Sequence, residues 1–131
     1  MNELFVPYAE SLELKELGFD ESCFGWYDGR YTQSVNRDYC KNSEDWLNTI
    51  HCASPIFSQA FKFFREKYNL FGTILSDGFN GRLKGYYYSI TEEGWINCYE
   101  SIDDGKWYDT YEEAELQCLR KLIEIAKTEK S

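Results

Sequence analysis

Tyr108-Asp109-Thr110-Tyr111-Glu112-Glu113-Ala114-Glu115 opens an apolar-periodic segment that continues to Lys127, and it follows directly on a series of strand-like runs. The spacing predicts a helix. Thr110 and Glu113 stand as in a capping box, in which the hydroxyl accepts from the Glu113 amide while the Glu113 side chain reaches back. Carboxylates in a first turn also favour the positive end of the helix macrodipole, so capping alone accounts for these acids.

Upstream of this helix the pattern is that of strands, Phe71 to Ser76, Lys84 to Thr91 and Trp95 to Ser101. Turns are expected at Asp77-Gly78, Asn80-Gly81 and Glu92-Glu93-Gly94, and Asp103-Asp104-Gly105 leads into a brief strand from Lys106 to Asp109. Before Asn69, Ser54 as N-cap and Pro55 at the first position introduce a second helix. Its apolar face is Ile56, Phe57, Ala60, Phe61, Phe63 and Phe64, opposite Ser58, Gln59, Lys62, Arg65 and Glu66.

Pro7 to Leu17 reads as a first helix with Phe5, Ala9 and Leu12 on one side and Gly18 as its stop; Phe19 folds back on its end as in a Schellman closure. Ser22 to Val35 predicts a short hairpin about Asp28-Gly29, residues 36–43 have loop composition, and Glu44 to His51 suits either a turn of helix or a short strand. The expected fold is α+β, an antiparallel sheet with helices packed on one face in the order α-β-β-α-β-β-β-α. A length of 131 residues fits a single domain, 1–131.

The net charge is -9, and only residues 30–70 are on balance basic. Such a field repels nucleic-acid phosphate and disfavours a nucleic-acid partner, while it attracts basic proteins or imitates a nucleic acid. The chain has no apolar run long enough for a membrane span, and Met1-Asn2-Glu3-Leu4 lacks a basic signal region, which predicts a cytoplasmic protein without membrane association.

Cys23, Cys40, Cys52, Cys98 and Cys118 are odd in number, with no Cys-x-x-Cys pair, so neither a disulfide framework nor a zinc ribbon is indicated. Cys98 falls in a strand and Cys118 on the apolar side of the last helix, both suited to a small core residue. His51 is the only histidine and has no nucleophile at informative spacing; its neighbour Cys52 points elsewhere in either helix or strand. The acidic turn before Gly105 fails as a calcium loop, because Ile102 and Tyr111 occupy positions that need ligand oxygens. Phosphate-loop and nucleophile-elbow motifs are absent, so no catalytic residue, metal ligand or cofactor is assigned.

Aromatic residues make up 18% of the chain, and Tyr86-Tyr87-Tyr88, Trp95, Tyr99, Trp107 and Tyr108 gather on the predicted strands. Cross-strand pairing that stabilises the sheet accounts for such a set. Where it binds a partner, the expected contact residues are Tyr86, Tyr88, Trp95, Tyr99 and Trp107.

From Ser54 to Ile125 the α-β-β-β-α order resembles a double-stranded-RNA-binding domain, and Thr110-Tyr111-Glu112-Glu113-Ala114-Glu115-Leu116-Gln117-Cys118-Leu119 looks like the alanine-marked start of that family's last helix. The family places lysines there to meet phosphate, whereas this chain has Glu112, Glu113 and Glu115, so RNA binding by that route is not implied. Lys15-Glu16-Leu17-Gly18-Phe19, Phe61-Lys62-Phe63-Phe64-Arg65-Glu66-Lys67-Tyr68 and the ending from Tyr108 to Ile125 together resemble small uncharacterised proteins encoded by Bacteroidetes and their phages and mobile elements. That resemblance implies a setting in which small acidic proteins act by binding a host or phage protein. The expectation is a non-catalytic interaction protein with a protein partner, such as a phage accessory or anti-defence factor. The alternatives are a nucleic-acid-related module with a double-stranded-RNA-domain-like fold and, third, a small enzyme.

Overall fold

A computed structural model describes residues 5–21, 23–27, 33–40, 52–79, 82–92 and 96–130. The elements run α1 (Tyr8–Glu16), β1 (Cys23–Tyr27), β2 (Gln33–Cys40), β3 (Cys52–Ser54), α2 (Phe57–Tyr68), β4 (Leu70–Phe79), β5 (Arg82–Glu92), β6 (Ile96–Glu100), a 3-10 turn (Ser101–Asp104) and α3 (Tyr111–Lys130). The fold is α+β, as expected. Among the described residues the strands form two three-stranded antiparallel sheets, ordered β2-β1-β3 and β4-β5-β6, in place of the single sheet anticipated. The chain divides into two compact units, Met1–Ala60 and Phe61–Ser131, with the boundary inside α2.

In the first unit α1 ends as its sequence predicts. The Phe19 amide donates to the Leu14 carbonyl at 2.9 Å and the Gly18 amide to Lys15 at 3.0 Å, with Gly18 at φ 98. This is the paired bonding of a Schellman closure, and Leu14 and Phe19 are both buried beside it. The expected buried face of α1 is corrected: Ala9 is exposed and Leu12 half-buried, while Glu10 and Ser11 are buried. Ser11 turns inward to the Val6 carbonyl, on which its hydroxyl (3.0 Å) and those of Tyr27 (3.1 Å) and Ser54 (3.0 Å) converge. Buried polar groups are tolerated when hydrogen-bonded, and this cluster ties the segment before α1 to β1 and β3.

Two further boundaries differ from expectation. Asn36 to Cys40, read as loop, belongs to β2, where Cys40 pairs with Cys23 across a bulge. Ser54 is a strand residue and not an N-cap; α2 starts at Phe57, and the Ile56 amide donates to the Gln59 side-chain oxygen at 3.2 Å, one half of a capping box. The buried residues of α2 are Phe57, Ala60, Phe61, Phe63 and Phe64, as its periodicity requires, whereas Ile56 forms a bridge with Phe5. Residues 28–32, with the turn expected at Asp28-Gly29, and the stretch 41–51, including His51, lie outside the described residues.

In the second unit β4 and β5 pair from Leu70↔Glu92 to Phe79↔Arg82. That register leaves two residues, 80–81, to connect the strands, so Asp77-Gly78 is not a turn but lies within the ladder, facing a bulge where β5 carries one extra residue, Lys84, between Leu83 and Gly85. The strand expected from Lys106 to Asp109 is reduced to one bridge, in which Tyr86 and Tyr108 exchange backbone bonds of 2.9 and 2.8 Å. A β-carbon added at Gly72 would lie 2.8 Å from Cys118 Sγ, 3.1 Å from Phe61 and 3.2 Å from Leu122. Both α2 and α3 therefore meet the same face of this sheet, and glycine lets them approach. At the start of α3 the Thr110 hydroxyl accepts from the Glu113 amide at 3.1 Å, so the hydroxyl half of the predicted box forms. Thr110→Ala is expected to lower stability by about 0.5–2 kcal/mol, read as a shift in the urea midpoint, and Thr110→Ser to restore most of it.

Candidate functional site: an aromatic and acidic cluster

Alternation along β5 divides the aromatics between two faces. Gly72 pairs with Ile90, Ile74 with Tyr88 and Ser76 with Tyr86, so Tyr86 and Tyr88 lie on the face that carries α3, and Tyr87 lies on the other. Tyr99, paired with Ile90, joins the helix side. Tyr88 is 4% exposed. Its ring stacks on Tyr108 at 6.2 Å between centroids and tilts against Tyr99 at 5.6 Å.

Tyr99, whose ring tilts against Tyr88, donates its hydroxyl to Asp104 Oδ2 at 2.5 Å. The Tyr88 amide is held by Ser101 Oγ at 3.1 Å, and the 3-10 turn that supplies Ser101 also supplies Asp104. Gly105 closes that turn at φ 70, a left-handed conformation that suits glycine. The Lys121 ammonium sits 4.5 Å from the Tyr99 ring centroid, adding a cation–π contact from α3.

Burial, and then the neighbouring Tyr99, push the Tyr88 phenol well above its ordinary value; for Tyr99 the Asp104 hydrogen bond is the first cause of an upward shift. Burial likewise raises Tyr108 and Tyr111. These phenols stay protonated at neutral pH. Burial and then Glu115 push the Cys118 thiol up as well, which keeps it from forming a thiolate. Among the described residues, no group of three or more His, Cys, Asp or Glu side chains is arranged to hold a metal ion, and no helix is long and apolar enough to cross a membrane.

Burial, and then the Glu112 charge, raise the Glu115 carboxyl above its ordinary 4.5. The folded state thus holds the Glu115 proton more tightly than the unfolded chain does, so stability is lost as pH rises from about 4.5 through the raised folded value. Glu115→Gln is expected to be more stable than the wild type at neutral pH, with the gain fading below about 4.5. Melting temperatures of both proteins across that range check the sign.

The five aromatics expected from sequence are not one surface. Tyr88 is buried and supports the cluster from within; Tyr99 is half-buried behind it. Tyr86 is half-buried and packs edge-on against Tyr111 at 6.1 Å, while Trp107 packs on Tyr87 at 5.4 Å. Trp95 lies outside the described residues. The residue that sequence reading missed is Tyr111: 46% exposed, it is the most open large aromatic here, with Asp109, Glu112 and Glu113 exposed around it in the chain. Its place at the head of an amphipathic helix was the available signal. Asp103, Asp104 and Glu100 add further carboxylates, so segment 99–115 interleaves aromatic rings with seven acids and the single cation Lys106. Comparison with protein families, curated proteins and solved structures returns no match for this chain.

Proposed function

We propose that this is a non-catalytic interaction protein that binds a basic macromolecular partner, its contacts centred on segment 99–115. The observation that carries this reading is Tyr111, open to solvent at the first position of α3 among exposed carboxylates. A ring in that setting offers its face to a lysine or arginine, while the acids draw the cation in and orient it. The partner in this reading is a protein, in keeping with the accessory or anti-defence role that the sequence resemblance implies. Protonated phenols and a protonated Cys118 favour recognition over chemistry.

Affinity capture with the full chain from a lysate of a Bacteroidetes host tests it. A basic protein should be retained at low salt and released as salt rises, because the Debye length shortens to about 8 Å at physiological ionic strength. Recovery of the bait alone across the salt series would reject the reading.

The order α2-β4-β5-β6-α3, with both helices meeting one sheet face at Gly72, favours a second reading, a nucleic-acid-related module with a double-stranded-RNA-domain-like fold. The acids opening α3 oppose it, since they stand where phosphate would have to approach. A gel shift with double-stranded RNA at low salt would revive it, and no shift would remove it.

A further inference from the structure

We propose that Cys23 and Cys40 are a redox modification site, joined reversibly to each other as a disulfide by exchange with a small-molecule disulfide. The site lies in the first unit and does not rest on the reading above. Cys23 opens β1, Cys40 ends β2, and the register sets them directly opposite each other. Opposite residues of an antiparallel pair have α-carbons about 4.5–5.5 Å apart, inside the span of about 4.4–6.8 Å that a disulfide bridges. Cys52, also in this unit, stands opposite Tyr27, four residues along β1 from Cys23. At about 3.3 Å per residue that is about 13 Å along the strand, out of reach of either.

The ladder adds a second feature at the same place. Between Cys23↔Cys40 and Gly25↔Val35 β1 advances by two residues and β2 by five, so residues 36–39 face Phe24 alone. Cys23↔Cys40 is the pair at which the strands meet again past this bulge, and it ends the ladder. Ordinary cross-strand β-carbons are about 4.5–5.5 Å apart, against about 3.5–4.5 Å in a disulfide, so closure draws the strands together by about 1 Å. A bulged ladder end accommodates that movement, and a bond formed under such tension is of the readily reduced kind.

Cys23 is 1% exposed, and its thiol donates to the Glu21 carbonyl at 3.3 Å. An oxidant therefore reaches the pair when the ladder end frays, which also breaks this weak bond. One cysteine thiolate attacks a sulfur of the small disulfide and releases the first small thiol; the thiolate of the other cysteine then attacks the mixed disulfide at the protein sulfur and releases the second. Two electrons pass from the cysteines to the small disulfide, and the two cysteine protons end on the released thiols.

Treatment of the reduced full chain with oxidised glutathione, followed by alkylation of the remaining thiols, tests the site. The intact product should carry one internal disulfide, and trypsin, which cuts after Arg30 and Arg37, should leave Cys23 and Cys40 in two peptides linked to each other. The thermal midpoint should rise above that of the reduced chain, because the bond also constrains the unfolded hairpin. Excess reduced glutathione should restore both thiols and the lower midpoint. Cys40→Ser should form no such linked pair, and its midpoint should not respond to the oxidant. Retention of both thiols in the wild type, linkage of Cys23 or Cys40 chiefly to another cysteine, a rise in midpoint that persists in Cys40→Ser, or a bond that survives excess reduced glutathione would overturn the proposal.

Discussion

Tyr88→Ala lowers the free energy of unfolding by about 3–5 kcal/mol, whereas Tyr88→Phe lowers it by only about 0.5–1.5 kcal/mol. The difference follows from where the residue sits. Tyr88 is buried between the Tyr99 and Tyr108 rings on the face covered by α3, so truncation removes both ring contacts and leaves a cavity under the helix. Loss of the hydroxyl alone leaves both ring contacts and the Tyr99 bond to Asp104 in place. Urea denaturation of the two variants separates the ring from the hydroxyl. Equal losses would mean that the Tyr88 hydroxyl, and not ring packing, holds this face together.

Gly72→Ala destabilises by about 1–3 kcal/mol, the usual cost of forcing a methyl group into a filled core. Gly72 has no unusual backbone angle; the obstacle is the three side chains that converge on it. The closest is Cys118 Sγ at 2.8 Å, so Cys118→Ala should relieve part of the strain and Gly72→Ala should cost less in that background. Contacting pairs of this kind couple by about 0.5–3 kcal/mol in double-mutant cycles. Additive effects, measured by thermal or urea unfolding of the four proteins, would place α3 farther from β4 than the structure does.

What could be read from the sequence was local. The Schellman end of α1 and the Thr110 cap of α3 depend on residues within a turn of one another, and both form as their spacing predicts. The burial of Ser11 was not legible, because the Val6 carbonyl collects hydroxyls from α1, β1 and β3, which only the folded chain brings together. β3 was missed because Cys52–Ser54 is too short to show alternation. Asp77-Gly78 reads locally as a turn like Asn80-Gly81, and only the ladder, whose pairing continues to Phe79↔Arg82, places it within β4.

The aromatic site shows the same division. Alternation separates Tyr86 and Tyr88 from Tyr87, but which face a helix covers is decided by the packing of α3, and that packing buries Tyr88. Tyr111 escaped notice because the start of α3 was read through its carboxylates, which capping already explained. In the structure those same carboxylates surround the most exposed aromatic ring of the cluster, giving the acid-fronted helix a second role in the proposed recognition of a basic partner.

Amide chemical-shift mapping of the full chain during titration with a lysine- and arginine-rich peptide tests that recognition most directly. The account predicts salt-sensitive shifts concentrated in segment 99–115, largest around Tyr111 to Glu113, and their loss in a Tyr111→Ala, Glu112→Lys, Glu113→Lys variant that keeps its fold. Shifts confined to other parts of the chain, or shifts that persist unchanged in the triple variant, would contradict it.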